Sequence, residues 1–233
     1  MHPIQPLDAV PKSPQSFEAT RLFAVITGDI VASSRLSSED RRKLAGILKL
    51  ASKEIAHKYP DLVSQSIDVF RGDSWQLVLT DPTVSLTAAV LFRASVIAAS
   101  PSAVRIDTRL AIGIGTIDYR PPNRVSEGNG EAYRASGRAL DSLKGSARMK
   151  YVTAEPIEQN PLLGTTVELL DAIIQEWTIP QALAVKGGLL GLTQLMIAKQ
   201  WPKRITQQTI ARHLARAHWP AVTAALEAVE NSP

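Results

Sequence analysis

The chain has 233 residues, of which 45% are hydrophobic and 21% charged, and its net charge at pH 7 is +4. It is long enough for two globular domains with buried cores, and no apolar run approaches the roughly 18 residues that a membrane helix needs. The absence of cysteine excludes disulfides, thiolate catalysis and cysteine-ligated zinc. It also fits the reducing cytoplasm, where we expect this protein to be located, with no membrane among its partners.

The first 20 residues contain four prolines and none of the apolar core of a secretory signal. We expect a disordered tail over 1–20.

From residue 21 to residue 154 the apolar pattern predicts a mixture of strands and helices. Runs rich in β-branched residues predict strands at 21–29, 63–70, 75–80, 106–117 and 149–153. Apolar residues at helical spacing predict helices at 37–59, 83–99 and 131–143. The Gly72-Asp73 pair predicts a hairpin between the second and third strands. This order predicts an α+β fold, a ferredoxin-like βαββαβ sandwich, for 21–154.

The strand pattern stops at residue 155. Two prolines and a glycine predict a linker over 155–164. Apolar periodicity then predicts an all-α domain over 165–233, with helices at 166–176, 181–189, 193–200, 206–217 and 221–229.

Two aspartates follow predicted strands. Asp29 ends the first strand, and Asp73 lies at the tip of the hairpin. If the strands are neighbours, both carboxylates meet at one edge of the sheet, where they repel unless a cation lies between them. Mg²⁺ or Mn²⁺, bound by carboxylates and substrate phosphates, suits such a place. Aspartate is also common in turns, so the spacing alone leaves a purely structural role open.

Four segments resemble the catalytic domain of class III nucleotidyl cyclases in order and spacing. They are LFAVITGDIVASSRL, VFRGDSW, RLAIGIGTI and GEAYRASGRAL, which together cover 22–143. The whole chain, including its C-terminal helices, resembles the SatD family of bacterial proteins.

The resemblance to the cyclases implies roles for several residues. Asp29, Ile30 and Asp73 match the metal-binding positions, and Arg138 matches the arginine that stabilises the pentavalent phosphate, a role suited to a permanently charged fork of donors. The phosphate-binding loop would contain Ser33, Ser34 and Arg35.

Three positions depart from the cyclase pattern. Val69 stands where adenylyl cyclases have their purine-selecting lysine, Glu127 replaces its partner aspartate, and Arg134 replaces the transition-state asparagine. These departures argue against adenylyl cyclase activity. They leave binding of a nucleoside triphosphate or another phosphorylated small molecule as the expectation.

The same residues have structural alternatives. Gly113 and Gly115 would allow a helix to pack closely on the strand. Arg134 and Arg138, one helical turn apart, would form a solvated face paired with Glu131 or Glu127.

The C-terminal region contains a basic segment. Residues 199–218 include five lysines or arginines and no acidic residue. Thr193 and Thr206 can each cap a helix, with a short break at Trp201-Pro202 between them. The segment resembles bacterial helix-turn-helix proteins, although its turn is longer. We expect double-stranded DNA to be contacted by Lys203, Arg204, Thr206, Gln207, Gln208, Thr209, Arg212, His213 and Arg216. The alternative is a helical dimerisation or lid module with a solvated basic face.

These features favour a DNA-binding regulator that senses a nucleotide or phosphometabolite with a divalent cation. The alternative is an active nucleotidyl cyclase or nucleotidyltransferase that uses two-metal chemistry on a nucleoside triphosphate. A homodimer is expected in either case, because cyclase sites of this family form across a dimer interface and helix-turn-helix proteins are mostly two-fold symmetric.

Overall fold

The computed structural model describes residues 21–63, 66–70, 72–101, 104–121 and 124–231. The tail expected over 1–20 lies outside these residues. The five strands within them are β1 (Phe23–Ile30), β2 (Asp68–Phe70), β3 (Ser74–Leu79), β4 (Thr108–Gly115) and β5 (Met149–Thr153). The α-helices there are α1 (Ser38–Lys58), α2 (Ser85–Ala98), α3 (Glu131–Asp141), α4 (Pro161–Gln175), α5 (Ile179–Leu189), α6 (Gln194–Lys199), α7 (Gln207–Arg216) and α8 (Trp219–Glu230).

The strands form one mixed sheet in the order β2-β3-β1-β4-β5. All neighbours are antiparallel except β4 and β5, which are parallel. The first four strands with α1 and α2 have the predicted βαββαβ order, and the α+β prediction is confirmed. The strand predicted at 63–70 is shorter than expected: β2 begins at Asp68, and Val63 makes only an isolated bridge to Leu79.

Strand β1 is the central strand, since it pairs with β3 on one side and with β4 on the other, and its apolar run is covered on both faces of the sheet. Ala24 and Ile26 belong to the large core beneath α1 and α2, whereas Phe23 and Val25 belong to a smaller core against α3. The alternation of side chains along the strand therefore places Asp29 on the α3 side.

Helix α3 lies unusually close to the sheet. A Cβ atom added to Gly113 would lie 2.4 Å from the backbone nitrogen of Ser136 and 2.5 Å from the carbonyl oxygen of Ala132. At Gly115 it would lie 2.9 Å from the backbone nitrogen of Ala132. The close-packing interpretation of the two glycines is confirmed.

The C-terminal helices pack directly on the mixed sheet and its helices. Helix α2 is buried on nearly every side, since it lies between the sheet and α5. Trp177, between α4 and α5, is 2% exposed, and its indole N–H donates to the carbonyl of Ala217. One continuous apolar core therefore joins the segments on either side of the predicted linker.

The chain becomes helical again inside the predicted linker. Helix α4 begins at Pro161, after Asn160 has capped it by accepting from the backbone N–H of Leu162. Proline at the first helical position needs no hydrogen bond, so the linker prolines mark a helix start as well as a break. No helix within the described part of the chain is long and apolar enough to cross a membrane.

Candidate functional site

A polar cavity of about 400 Å³ opens where β1, the β2–β3 hairpin, β4 and the loop before β5 meet. It contains the two predicted metal-binding aspartates and two of the predicted phosphate-loop residues. Its lining is Asp29, Ile30, Val31, Ala32, Ser33, Ser34, Asp73, Arg109, Gly145, Ser146, Ala147 and Arg148. We call this cavity the Asp29–Asp73 pocket.

Asp29 reaches the pocket from the end of β1, where it lies opposite Ser74 of β3 and Arg109 of β4. The Arg109 guanidinium holds its carboxylate with two hydrogen bonds, Nε to Oδ1 at 2.8 Å and Nη2 to Oδ2 at 2.7 Å. This hydrogen bonding raises the pKa of Arg109 above its ordinary value. Arg109 was not predicted from the sequence, although it is a charged residue within an otherwise apolar strand.

Asp73 reaches the same pocket from the hairpin, where Gly72 has a φ of 87° that favours glycine. The Ser33 hydroxyl donates to its carboxylate at 2.5 Å, and the backbone N–H of Ile30 donates to its carbonyl. Ser33 begins a 3₁₀ turn, Ser33–Arg35, that follows the left-handed Ala32. The structure thus brings Ser33 and Ser34 to the aspartates, but the exposed Arg35 does not line the pocket.

The donors in the pocket fit a hard divalent cation. Two carboxylates and two serine hydroxyls supply oxygen ligands, and Mg²⁺ commonly binds one or two carboxylates together with phosphates. Within the described residues no group of three or more metal-binding side chains occurs, so phosphate oxygens or water would have to complete the coordination. A cation on Asp29 would compete with Arg109 for the carboxylate.

The two residues predicted to face the base lie elsewhere. Val69 in β2 is half-buried opposite Trp75, and the exposed Glu127 pairs with Arg124 at 2.9 Å. Their segments do meet, because Asp68 beside Val69 accepts from the backbone N–H of Ser126 at 3.2 Å.

The arginines of α3 do not line the Asp29–Asp73 pocket. Arg134 pairs with Glu131 at 2.6 Å, and that hydrogen bond lowers the pKa of Glu131. Arg134 therefore fits the structural alternative, a solvated arginine paired with Glu131. Arg138 is exposed and, with Lys150, lines a separate cavity of about 610 Å³. A single chain does not bring Arg138 to the aspartates.

A buried set of charges lies directly behind the pocket. We call it the Arg93 network; it consists of Arg93, Arg105, Asp107, Arg148 and Asp171. Arg93 of α2 is fully buried and donates to both oxygens of Asp107, at 2.8 and 3.0 Å, and to Asp171 of α4 at 2.5 Å. The Asp107 carbonyl accepts from the backbone N–H of Val31, a residue of the pocket wall.

Burial alone would raise the pKa of Asp107. The hydrogen bonds and charge of Arg93 outweigh burial, and Arg105 and Arg148 add to this, so the pKa lies below its ordinary value. The carboxylate is therefore ionised at neutral pH.

Most of the predicted DNA-binding residues lie on the surface of the C-terminal helices. Thr206 caps α7 by accepting from the backbone N–H of Thr209, as expected, and Ile210 and Leu214 are buried. The exposed residues are Lys203, Arg204, Thr206, Gln207, Gln208, Arg212 and Arg216.

His213 is placed differently from the rest of this surface. Its ring stacks on Trp201, with centroids 5.6 Å apart and an angle of 6° between the planes. Burial, followed by the charges of Arg216 and Arg212, lowers the pKa of His213. It is thus half-buried against the turn before α7 rather than free on the outer face.

No protein-family model and no curated protein matches the chain. The solved structures that resemble it include guanylyl cyclase domains. That of the RhoGC fusion protein from the aquatic fungus Blastocladiella emersonii is 20% identical, with a TM-score of 0.41 over 53% of this chain and 75% of that one. That of RhGC from Catenaria anguillulae, solved with GTP, is 20% identical, with a TM-score of 0.36 over 53% and 74%. The guanylyl cyclase Cya2 is 14% identical, with a TM-score of 0.40 over 57% and 74%.

TM-scores below 0.5 establish neither a family nor an activity. SatD membership and the helix-turn-helix stay predictions.

Proposed function

We propose that the Asp29–Asp73 pocket binds the phosphate groups of a nucleotide together with a divalent cation. The observation that carries the proposal is the meeting of two carboxylates, the Ser33–Ser34 turn and Arg109 in one cavity. Carboxylates suit the cation, while hydroxyls and a guanidinium suit phosphate oxygens. The cyclase-like motifs of the sequence support the same ligand class.

Arg109 gives the pocket a way to respond to its ligand. Without one, its guanidinium neutralises Asp29 through a bidentate pair. Mg²⁺ or Mn²⁺ at the carboxylates would supply positive charge for the phosphates. Arg109 would then donate its two parallel N–H groups to a phosphate, the other anion that fits its planar fork.

The metal-dependent binding should require both aspartates. Asp73→Asn and Asp29→Asn keep the size of the side chain but remove its charge. Each should weaken Mn²⁺-dependent binding of a nucleoside triphosphate by about 100-fold or more, because changing even an outer partner of a metal site costs about 10–100-fold. Calorimetric titration with each of the four ribonucleoside triphosphates, with and without Mn²⁺, measures this.

The matched control is Asp61→Asn, which changes an exposed aspartate outside the pocket. It should bind as the unmodified protein does. Absence of metal-dependent binding to any triphosphate in the unmodified protein would remove the site from consideration.

Turnover, as a nucleotidyl cyclase or nucleotidyltransferase, is the alternative to binding alone. Arg138 lies outside the pocket of its own chain, so a catalytic role for it needs a second copy, as in the homodimer expected from the sequence. Incubation with each triphosphate and Mn²⁺, followed by analysis for released pyrophosphate, distinguishes an enzyme from a sensor.

A second candidate function is DNA binding by the C-terminal helices, which would make the protein a ligand-responsive regulator. The observation that favours it is the exposed, acid-free surface formed by Lys203, Arg204, Gln208 and Arg212 beside the capped start of α7. Helix N-termini and basic side chains both attract phosphates.

Substitutions should distinguish the residues that contact the phosphates of any DNA from those that contact bases and so determine sequence preference. Lys203→Ala and Arg204→Ala should weaken binding to all duplexes alike, and each should make the negative slope of log K against log salt shallower by about 0.9, for one lost phosphate contact. Gln208→Ala or Arg212→Ala should relax sequence preference instead, by roughly 1–3 kcal/mol per lost base contact. Mobility-shift assays of the full chain with pooled random duplexes at two salt concentrations test both.

Lys53→Ala is the control for these variants, because it removes one exposed positive charge from α1. If the full chain shifts no duplex with or without nucleotide, the C-terminal helices are structural and the enzyme is the better candidate.

A further inference from the structure

The Arg93 network contains more positive than negative charge. Three guanidinium groups, those of Arg93, Arg105 and Arg148, share the carboxylates of Asp107 and Asp171. Together the three guanidinium groups and the two carboxylates carry one excess positive charge in a largely buried part of the protein. An excess charge there is costly unless an anion or solvent compensates it.

The three arginines differ in how completely their donors are paired. Arg93 is paired with both carboxylates. Arg105 forms an ion pair with Asp107 and donates to the carbonyls of Ile174, in the last turn of α4, and Trp177, just after it, where the helix dipole favours a cation. Arg148 has the fewest partners of the three.

The side chain of Arg148 is incompletely paired. Its Nη1 donates to Asp107, whereas Nε and Nη2 have no hydrogen-bond partner among the described residues. The side chain is 25% exposed and lines the Asp29–Asp73 pocket. Its unused donors are thus available at the cavity.

Arg148 is also a neighbour of Arg109. The parallel register pairs Leu110 of β4 with Met149 of β5, so the two arginines directly precede paired residues on adjacent strands. Both side chains line the Asp29–Asp73 pocket, so an anion bound in that cavity would lie beside two guanidinium groups.

The backbone of Arg148 is held by the C-terminal segment. The Asp171 carboxylate in α4 accepts from the backbone N–H of Arg148 at 2.7 Å and from that of Met149 at 3.2 Å. The C-terminal helices thereby determine where the loop before β5 lies.

We propose that Arg148 is a second phosphate-binding residue of the pocket and that Asp171 is a positioning residue for it. With Arg109 beside it, Arg148 suits a ligand with two or more linked phosphates better than a single phosphate. The proposal rests on the proposed function, since it concerns the same pocket, and it adds that α4 completes the ligand site.

The test uses the full chain, Mg²⁺, and two probes without a base, inorganic tripolyphosphate and orthophosphate. Arg148→Ala should raise the dissociation constant for tripolyphosphate by about tenfold or more, the usual effect of losing a hydrogen bond to a charged group. Binding of orthophosphate should change less. Arg148→Lys should restore only part of the affinity, because lysine keeps the charge but loses the planar fork.

Lys144→Ala is the matched control, because it removes an exposed positive charge from the same loop outside the pocket. It should leave both dissociation constants within about twofold, less than the loss of one hydrogen bond.

Asp171→Asn tests the positioning role. It should weaken tripolyphosphate binding in the unmodified background but add little in the Arg148→Ala background, because the two residues act through one contact. A purely structural effect of Asp171 would appear equally in both backgrounds. Thermal denaturation selects a temperature at which every variant is folded.

The outcomes separate the two proposals. If the unmodified protein binds neither tripolyphosphate nor any nucleoside triphosphate, the proposed function is wrong and the role of Arg148 falls with it. If it binds tripolyphosphate and Arg148→Ala binds as well as Lys144→Ala does, the pocket stands and the inference about Arg148 is wrong.

Discussion

Replacing Arg93 with alanine should lower the free energy of unfolding by about 3–5 kcal/mol, the usual cost of removing one partner from a buried ion pair. The side chain is fully buried and makes three hydrogen bonds to Asp107 and Asp171. Its loss leaves two carboxylates in an apolar core with fewer cations. Denaturant unfolding at neutral pH measures the change.

The effect of Arg93→Ala should depend on pH. Since Arg93 holds the folded-state pKa of Asp107 below its ordinary value, the stabilisation is present above the unfolded-state pKa and is lost as the pH falls through the folded-state pKa. The difference between the unmodified protein and the variant should therefore be largest near neutral pH and shrink in acid. A difference that is the same at all pH values would mean that lost packing, rather than charge, causes it.

Lys43→Ala is the control for Arg93→Ala. It breaks an exposed ion pair with Glu39 on α1, and exposed pairs contribute little to stability. Its unfolding midpoint should not change.

Trp177→Ala should be about as destabilising, at about 3–5 kcal/mol for a fully buried aromatic side chain. The indole ring lies in the core shared by the sheet and the C-terminal helices, and its N–H donates to the carbonyl of Ala217. We expect one cooperative unfolding transition, at a lower denaturant concentration, both in far-ultraviolet circular dichroism and in the fluorescence of the three remaining tryptophans, Trp75 in the sheet core and Trp201 and Trp219 in the C-terminal helical region.

Trp177→Phe separates packing from hydrogen bonding in that experiment. It keeps a ring but loses the indole N–H, and should cost about 1–3 kcal/mol, the penalty for a buried acceptor left unsatisfied. Two separate transitions in the unmodified protein would contradict the shared core and would favour independent domains.

Local patterns in the sequence were enough to predict the central sheet and its two aspartates. The apolar run before Asp29 and the Gly72-Asp73 turn predict a strand and a hairpin without knowledge of the rest of the chain. Antiparallel pairing of β1 with β3 then brings both carboxylates to one edge, as the register from Asp29 to Ser74 shows.

The partners of these residues could not be predicted in the same way. Arg109 is 80 positions from Asp29, and Arg93 is 78 positions from Asp171. Periodicity tells which side of an element is apolar but not which element covers it. Arg93 is the only charged residue of the apolar helix α2, and the network that it forms behind the pocket depends on the packing of α4.

The two glycines beneath α3 determine how closely the helix and the strand pack. The backbone of α3 lies directly against β4 at Gly113 and Gly115, where an added Cβ atom would meet the helix backbone at 2.4 to 2.9 Å. Any larger residue at either position would therefore push α3, and Arg138 with it, away from the sheet that carries Asp29 and Arg109. The distance from Arg138 to the Asp29–Asp73 pocket thus depends on two residues that line neither cavity.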